Sequence, residues 1–144
     1  MRLVLDTNVV VSALLWNGAP ERLLRVSHSE GVLIFTSMPL LEELTETLSK
    51  SKFERKIAAS LHSIDQLTEL YSKLAVVVRP VPVPRLAPDP DDDVVIGTAV
   101  AAKADFVVTG DRTLLSVTEY EGVCIVSVSE ALEAVAQSAS HNKQ

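Results

Sequence analysis

The sequence contains one cysteine, Cys124, so it can form neither an internal disulfide nor a cysteine-based zinc cluster. A reduced, cytoplasmic setting is the simplest expectation. Between Val123 and the pair Ile125 and Val126, the thiol is expected to pack as a small buried hydrophobe. No apolar run approaches the length needed to span a membrane. The first apolar stretch is broken by Asp6 and Asn8, which argues against a signal peptide. Aromatic residues are only 4% of the chain, so the interior must be built from Val, Leu, Ile and Ala. That mixture suits a parallel sheet covered by helices. Positive charge is also scarce: 13 Lys and Arg against 19 Asp and Glu give a net charge of −6. Such a balance argues against a protein that coats nucleic acid through bulk charge. It leaves room for an acidic site: two divalent cations among four carboxylates would bring the net charge to about −2.

The 144 residues fit one domain, expected over 1–137, with a polar tail over 138–144. Apolar runs predict strands at 2–5, 32–35, 75–78, 106–109 and 123–126. Helical periodicity or capping signals predict helices at 20–30, from Thr36 or Ser37 to about 50, within 52–74, at 91–103, 111–115 and 129–137. Five prolines make 79–90 an extended loop. Strands alternating with helices predict a three-layer α/β/α fold around a central parallel sheet of about five strands. In such sheets ligands bind outside the carboxyl ends of the strands, where the strand order reverses.

Acids fall at that edge. Asp6 follows Leu3-Val4-Leu5 directly. Asp111 follows Val107-Val108-Thr109-Gly110. Four aspartates stand within Asp89-Pro90-Asp91-Asp92-Asp93. A lone Asp in such a place serves equally well as a helix N-cap, but four acids in five residues exceed what capping needs and repel one another unless a cation intervenes. On the helix that starts near Ser37, Leu40, Leu41, Leu44 and Leu48 define the apolar arc. Glu43 lies at the edge of that arc, whereas Glu42 and Glu46 point into solvent. Hard divalent ions such as Mg²⁺ or Mn²⁺ favour oxygen donors of this kind. A pair of them would suit phosphodiester hydrolysis.

Taken in order, Leu3-Val4-Leu5-Asp6-Thr7-Asn8, Leu40-Leu41-Glu42-Glu43-Leu44, Asp89-Pro90-Asp91-Asp92-Asp93 and Val107-Val108-Thr109-Gly110-Asp111 resemble the motifs of a PIN domain. The resemblance covers nearly the whole chain and is closest to VapC-type toxin ribonucleases of type II toxin–antitoxin systems. It implies a PIN-like fold, endoribonuclease activity with Mg²⁺ or Mn²⁺, a homodimer and a protein antitoxin. It implies catalytic and metal-binding roles for Asp6, Glu43, Asp92 and Asp111, with Asn8, Thr109 and Asp93 in support. For the third acid the resemblance implies Asp92, seven residues before Ala99, with Asp89 and Asp93 as the alternatives.

Lys50, Lys52, Arg55 and Lys56 form the densest basic group and are candidates for RNA phosphate contacts. Trp16 could stack a base, though packing at an interface is the more ordinary role. His28, His62 and His141 show no ligand spacing and are expected at the surface. An aspartyl phosphohydrolase would want an Asp where Asn8 stands. A Mg²⁺-binding receiver-like module would want an Asp after the third strand, where Arg79-Pro80 stands. A PIN-like RNA-binding protein without catalysis is the remaining alternative.

Overall fold

The computed structural model describes residues 1–142, with side chains through residue 140. The chain opens with β1 (Arg2–Leu5), α1 (Thr7–Leu15) and α2 (Ala19–Ser29). Next come β2 (Leu33–Thr36), α3 (Met38–Leu48), a 3-10 turn (Ser51–Phe53), α4 (Glu54–Ser60), α5 (Ile64–Leu74) and β3 (Val76–Val77). A loop then leads to α6 (Pro90–Ala102), β4 (Phe106–Val108), α7 (Arg112–Leu115), β5 (Glu119–Tyr120), β6 (Val123–Val126) and α8 (Val128–Asn142).

The strands form one sheet in the order β3-β2-β1-β4-β6-β5. Every pairing is parallel except β5 with β6. The order reverses at β1: β2 lies on one side of it and β4 on the other, so the crevice between their carboxyl ends is the expected ligand position. Strand side chains alternate between two cores. Leu3, Leu5 and Val108 pack with Val9, Leu23, Leu44 and Val135 on one face. Val4, Val107 and Ile125 pack with Val95, Ile96 and Leu114 on the other. Helices therefore cover both faces, giving the three-layer α/β/α arrangement read from the sequence.

Several boundaries differ from expectation. The helical run over 52–74 is split: Leu61 ends α4 at φ 64°, and a capping box between Ser63 and Gln66 starts α5. The short antiparallel β5 was not expected, and it raises the strand count to six. Cys124 is exposed: alternation along β6 places Val123 and Ile125 in one core and Cys124 on the opposite face with Val126, and of that pair only Val126 is covered. The last helix runs on to Asn142, through much of the stretch expected as a tail. Residues 143–144 of that stretch lie outside the described residues, as does the side chain of His141, while His28 and His62 are exposed.

The loop between β3 and α6 is tied to α6 at two levels. The Val81 N–H donates to the Gly97 carbonyl at 3.2 Å. Farther along, the Leu86 and Ala87 amides both donate to Asp93 Oδ1 at 3.0 Å. At the start of α3 the Ser37 and Thr98 hydroxyls share a buried hydrogen bond of 2.9 Å. That bond joins the helix carrying Glu43 to the helix carrying Asp92.

Candidate active site

Asp6 leaves β1 at the switch point. Its amide donates to the Val108 carbonyl, so the ladder between β1 and β4 extends to this residue. Its side chain is buried at 6% exposure and held at both oxygens. Oδ1 accepts the Thr7 amide at 2.8 Å and Oδ2 accepts the Thr109 hydroxyl at 2.7 Å. Thr109, wholly buried, also accepts the Asp111 amide at 3.0 Å. One hydroxyl thus fixes the acid after β1 against the turn after β4. Asp111 is exposed and caps α7 by accepting the Thr113 amide. Asn8 is exposed and takes no part in the bonds that hold Asp6.

The acidic run sorts itself by partner. Asp89 is the N-cap of α6 and accepts the Asp91 amide. Asp93 is committed to the preceding loop through Leu86, Ala87 and, at 3.8 Å, Arg85. Asp92 is buried at 9% exposure. It feels the charges of Asp6 and Asp111, which marks it as the member of the run that turns toward the switch point. On α3, Glu43 is half-buried while Glu42 and Glu46 are exposed, as the position of Glu43 on the helix arc requires. These three glutamates and Asp91 line a recess of about 220 Å³ with Pro39 and Val94.

The electrostatics bind the four acids into one group. Burial pushes Glu43 up to about 7, and the charges of Asp6 and Asp91 add to the shift. Burial raises Asp92 to about 6, helped by Asp6 and Asp111. Asp6 is also raised, chiefly by burial, although its bonds from Thr109 and Thr7 favour the ionised form. Asp6, Glu43 and Asp92 are therefore short of counter-charge. Lys50, Lys52, Arg55 and Lys56 are exposed beyond the end of α3 and supply none of it within the cluster.

Two residues gain weight that the sequence reading did not give them. Thr7 is buried and supplies the amide that holds Asp6, and it reaches Glu43 as well. Asp91 adds its charge to the Glu43 side of the site. Thr7 was visible between the two polar residues of the first motif. Asp91 was hidden among its like-charged neighbours.

As the side chains stand, no three His, Cys, Asp or Glu residues among the described residues converge closely enough to hold one ion. The case for a cation rests on the donor set. It consists solely of carboxylates, which suits hard ions that keep part of their water, and three of its members are driven toward protonation by burial and by one another.

Fold and site together define an α/β/α protein with an acidic crevice at the reversal point of its sheet. A family model for the PIN domain matches residues 2–113, a span that includes Asp6, Glu43, Asp92, Thr109 and Asp111. The chain belongs to the PIN-domain family. PIN domains are generally nucleases, act on nucleic acid and typically use divalent metal ions. No curated protein matches the sequence. The receiver-like alternative finds no support in the sheet, because β3 lies at its edge and leads into Arg79 rather than an acid. Among the described residues, no helix is long and apolar enough to cross a membrane.

Proposed function

We propose that this chain is a Mg²⁺- or Mn²⁺-dependent endoribonuclease, and the toxin component of a type II toxin–antitoxin pair. The observation that supports the enzymatic part is the electrostatic coupling of Asp6, Glu43, Asp92 and Asp111 around one switch point, where each raises or is raised by another. Bound divalent ions would activate water and stabilise the leaving oxygen of a phosphodiester. Asp6 and Asp92 are the residues best placed to hold them, with Asp111 and Glu43 completing the oxygen donors. Thr109 keeps Asp6 in one orientation by donating to Oδ2, leaving Oδ1 to the Thr7 amide and to the crevice. Glu43, poised near neutrality, is suited to take a proton from water at the rim of the site. Lys50, Lys52, Arg55 and Lys56 would meet the phosphates of the RNA outside it.

Purified protein is expected to cleave single-stranded RNA with Mg²⁺ or Mn²⁺. Chelator and the substitution Asp6→Asn are each expected to abolish cleavage. Activity that survives both would sink the reading. A wild type that binds RNA but leaves it intact with every ion would favour the non-catalytic PIN-like protein.

The toxin assignment and the homodimer are supported by the motif resemblance. A protein partner is further supported by Met38 and Val77, which are 58% and 46% exposed and line a groove of about 510 Å³ between α3 and α5. Light scattering that finds only monomer across micromolar concentrations would remove the dimer. A neighbouring gene with no antitoxin character would remove the toxin role.

A further inference from the structure

The far end of α1 carries a cluster that the acids leave unexplained. Trp16 caps that helix and remains 40% exposed. Its ring meets Phe53 edge-on, with centroids 6.0 Å apart and planes at 73°. Lys56 Nζ sits 5.2 Å from the Trp16 ring centroid, and Lys52 Nζ 5.1 Å from that of Phe53. Lys50 and Arg55 flank them, and none of the four cations enters an ion pair among the described residues. In a chain of net charge −6, two ammonium groups thus lie against neighbouring rings without an ion pair among the described residues.

We propose that Trp16, Phe53, Lys52 and Lys56 form a stacking platform for single-stranded RNA, holding a nucleotide a few positions along the strand from the one that enters the acidic crevice. The proposal rests on the ribonuclease reading of that crevice. Asp6 caps the start of α1 and Trp16 its end, so about 15 Å of helix separates acid from ring. The helix carrying Glu43 leads through Lys50 into the 3-10 turn that carries Lys52 and Phe53. Two elements thus connect the same two places, and a strand crossing the acids has this patch within reach.

The chemistry favours an unpaired strand. Bases in an A-form duplex are stacked on one another and show only edges and backbone, whereas single-stranded bases can splay onto a ring. An exposed ring–ammonium contact is a weak interaction, and base stacking on an aromatic ring is stronger. An arriving base can therefore take the indole face while the displaced lysine turns to a phosphate. A second copy of the chain suits the patch less well. In a two-fold interface the patch would face itself and set like charges together.

Trp16 is the sole tryptophan, so its emission reports this place alone. Full-length protein in chelator, which prevents metal-dependent cleavage, would be titrated with a single-stranded oligouridylate and with a duplex of equal length. Saturable quenching by the single strand and little by the duplex is expected. Labelled-RNA anisotropy should show binding weakened roughly tenfold in Trp16→Ala. Trp16→Phe should retain most of the affinity. Lys56→Gln, an exposed change that spares the fold, should lower the salt dependence of binding.

Saturable binding that leaves Trp16 emission and the Trp16→Ala affinity unchanged would overturn the platform. So would emission that depends on protein concentration without RNA, since that would place Trp16 in a self-interface. Metal-dependent cleavage by Trp16→Ala with an unchanged KM would remove the platform and leave the nuclease reading intact. Quenching without cleavage under any ion would do the reverse.

Discussion

The Thr109 hydroxyl donates to Asp6 Oδ2 and accepts the Asp111 amide, so one neutral side chain sets the geometry of two acids. Similar distinctions decide which of several adjacent acids matters. Glu43 is half-buried and raised by burial, Asp6 and Asp91, while Glu42 one residue earlier is exposed. Glu43→Gln is expected to lower RNA cleavage by roughly 100-fold, and Glu42→Gln to leave it within about twofold. Equal losses in steady-state cleavage would show that the face of α3 has been misassigned. Asp92 and Asp93 separate in a different way. Asp93 accepts two backbone amides from the preceding loop, so Asp93→Ala orphans both and should cost about 1–3 kcal/mol of stability. Asp92→Asn should remove activity with little loss of stability. Thermal denaturation alongside cleavage rates tests the split, and it fails if both variants lose the same property.

Elements place these residues, and the loop over α6 shows how tightly. Val81 donates to the Gly97 carbonyl, and a Cβ added to Gly97 would overlap the Val81 carbonyl oxygen. Gly97→Ala brings a gain of about 0.5–1 kcal/mol in helix propensity. The overlap is with backbone, which cannot swing aside, and overpacking of that kind costs about 1–3 kcal/mol. Net destabilisation is therefore expected. Faster hydrogen exchange should appear first at the Val81, Leu86 and Ala87 amides, where the loop is tied down. Unchanged protection at those amides would mean the loop moves without strain.

The same scale explains what could be read in advance. Asp6 and Asp111 were legible because apolar strands deliver them at one sheet edge. Glu43 was legible because leucines at helical spacing define its face. The break at Leu61 was not, since the apolar period continues unbroken through Leu61, Ile64 and Leu67. Leu61 is nonetheless 90% exposed, and the Ser63–Gln66 capping box supplies the new start. That box was the one available signal. β5 is two residues long, and its hairpin turn places Glu121 and Gly122 at positive φ, with Glu where Asn or Asp would have announced the turn. The coupling of Asp92 to Asp6 and Asp111 and the meeting of Trp16 with Phe53 depend on contacts distant in sequence, which no local pattern encodes.

At the scale of the whole molecule, the acids set the pH dependence of stability. Asp6, Glu43 and Asp92 are each raised in the folded protein, the last two to about 7 and about 6 from ordinary values of 4.5 and 3.8. A raised carboxyl group means that the folded state holds more protons than the unfolded chain across that interval. Stability from these groups is therefore fully present below about pH 4 and declines as pH rises toward 7. A divalent ion that binds only the folded site reverses the loss in proportion to its saturation. In chelator, Tm should fall between pH 5 and pH 8. Millimolar Mg²⁺ or Mn²⁺ should recover it at pH 8 and do little at pH 5, where protons occupy the site. Glu43→Gln should flatten the decline, because the group with the highest folded value no longer titrates. A Tm that ignores both pH and divalent ions, with the fold intact by circular dichroism, would mean that the four carboxylates do not act as one cation-seeking cluster.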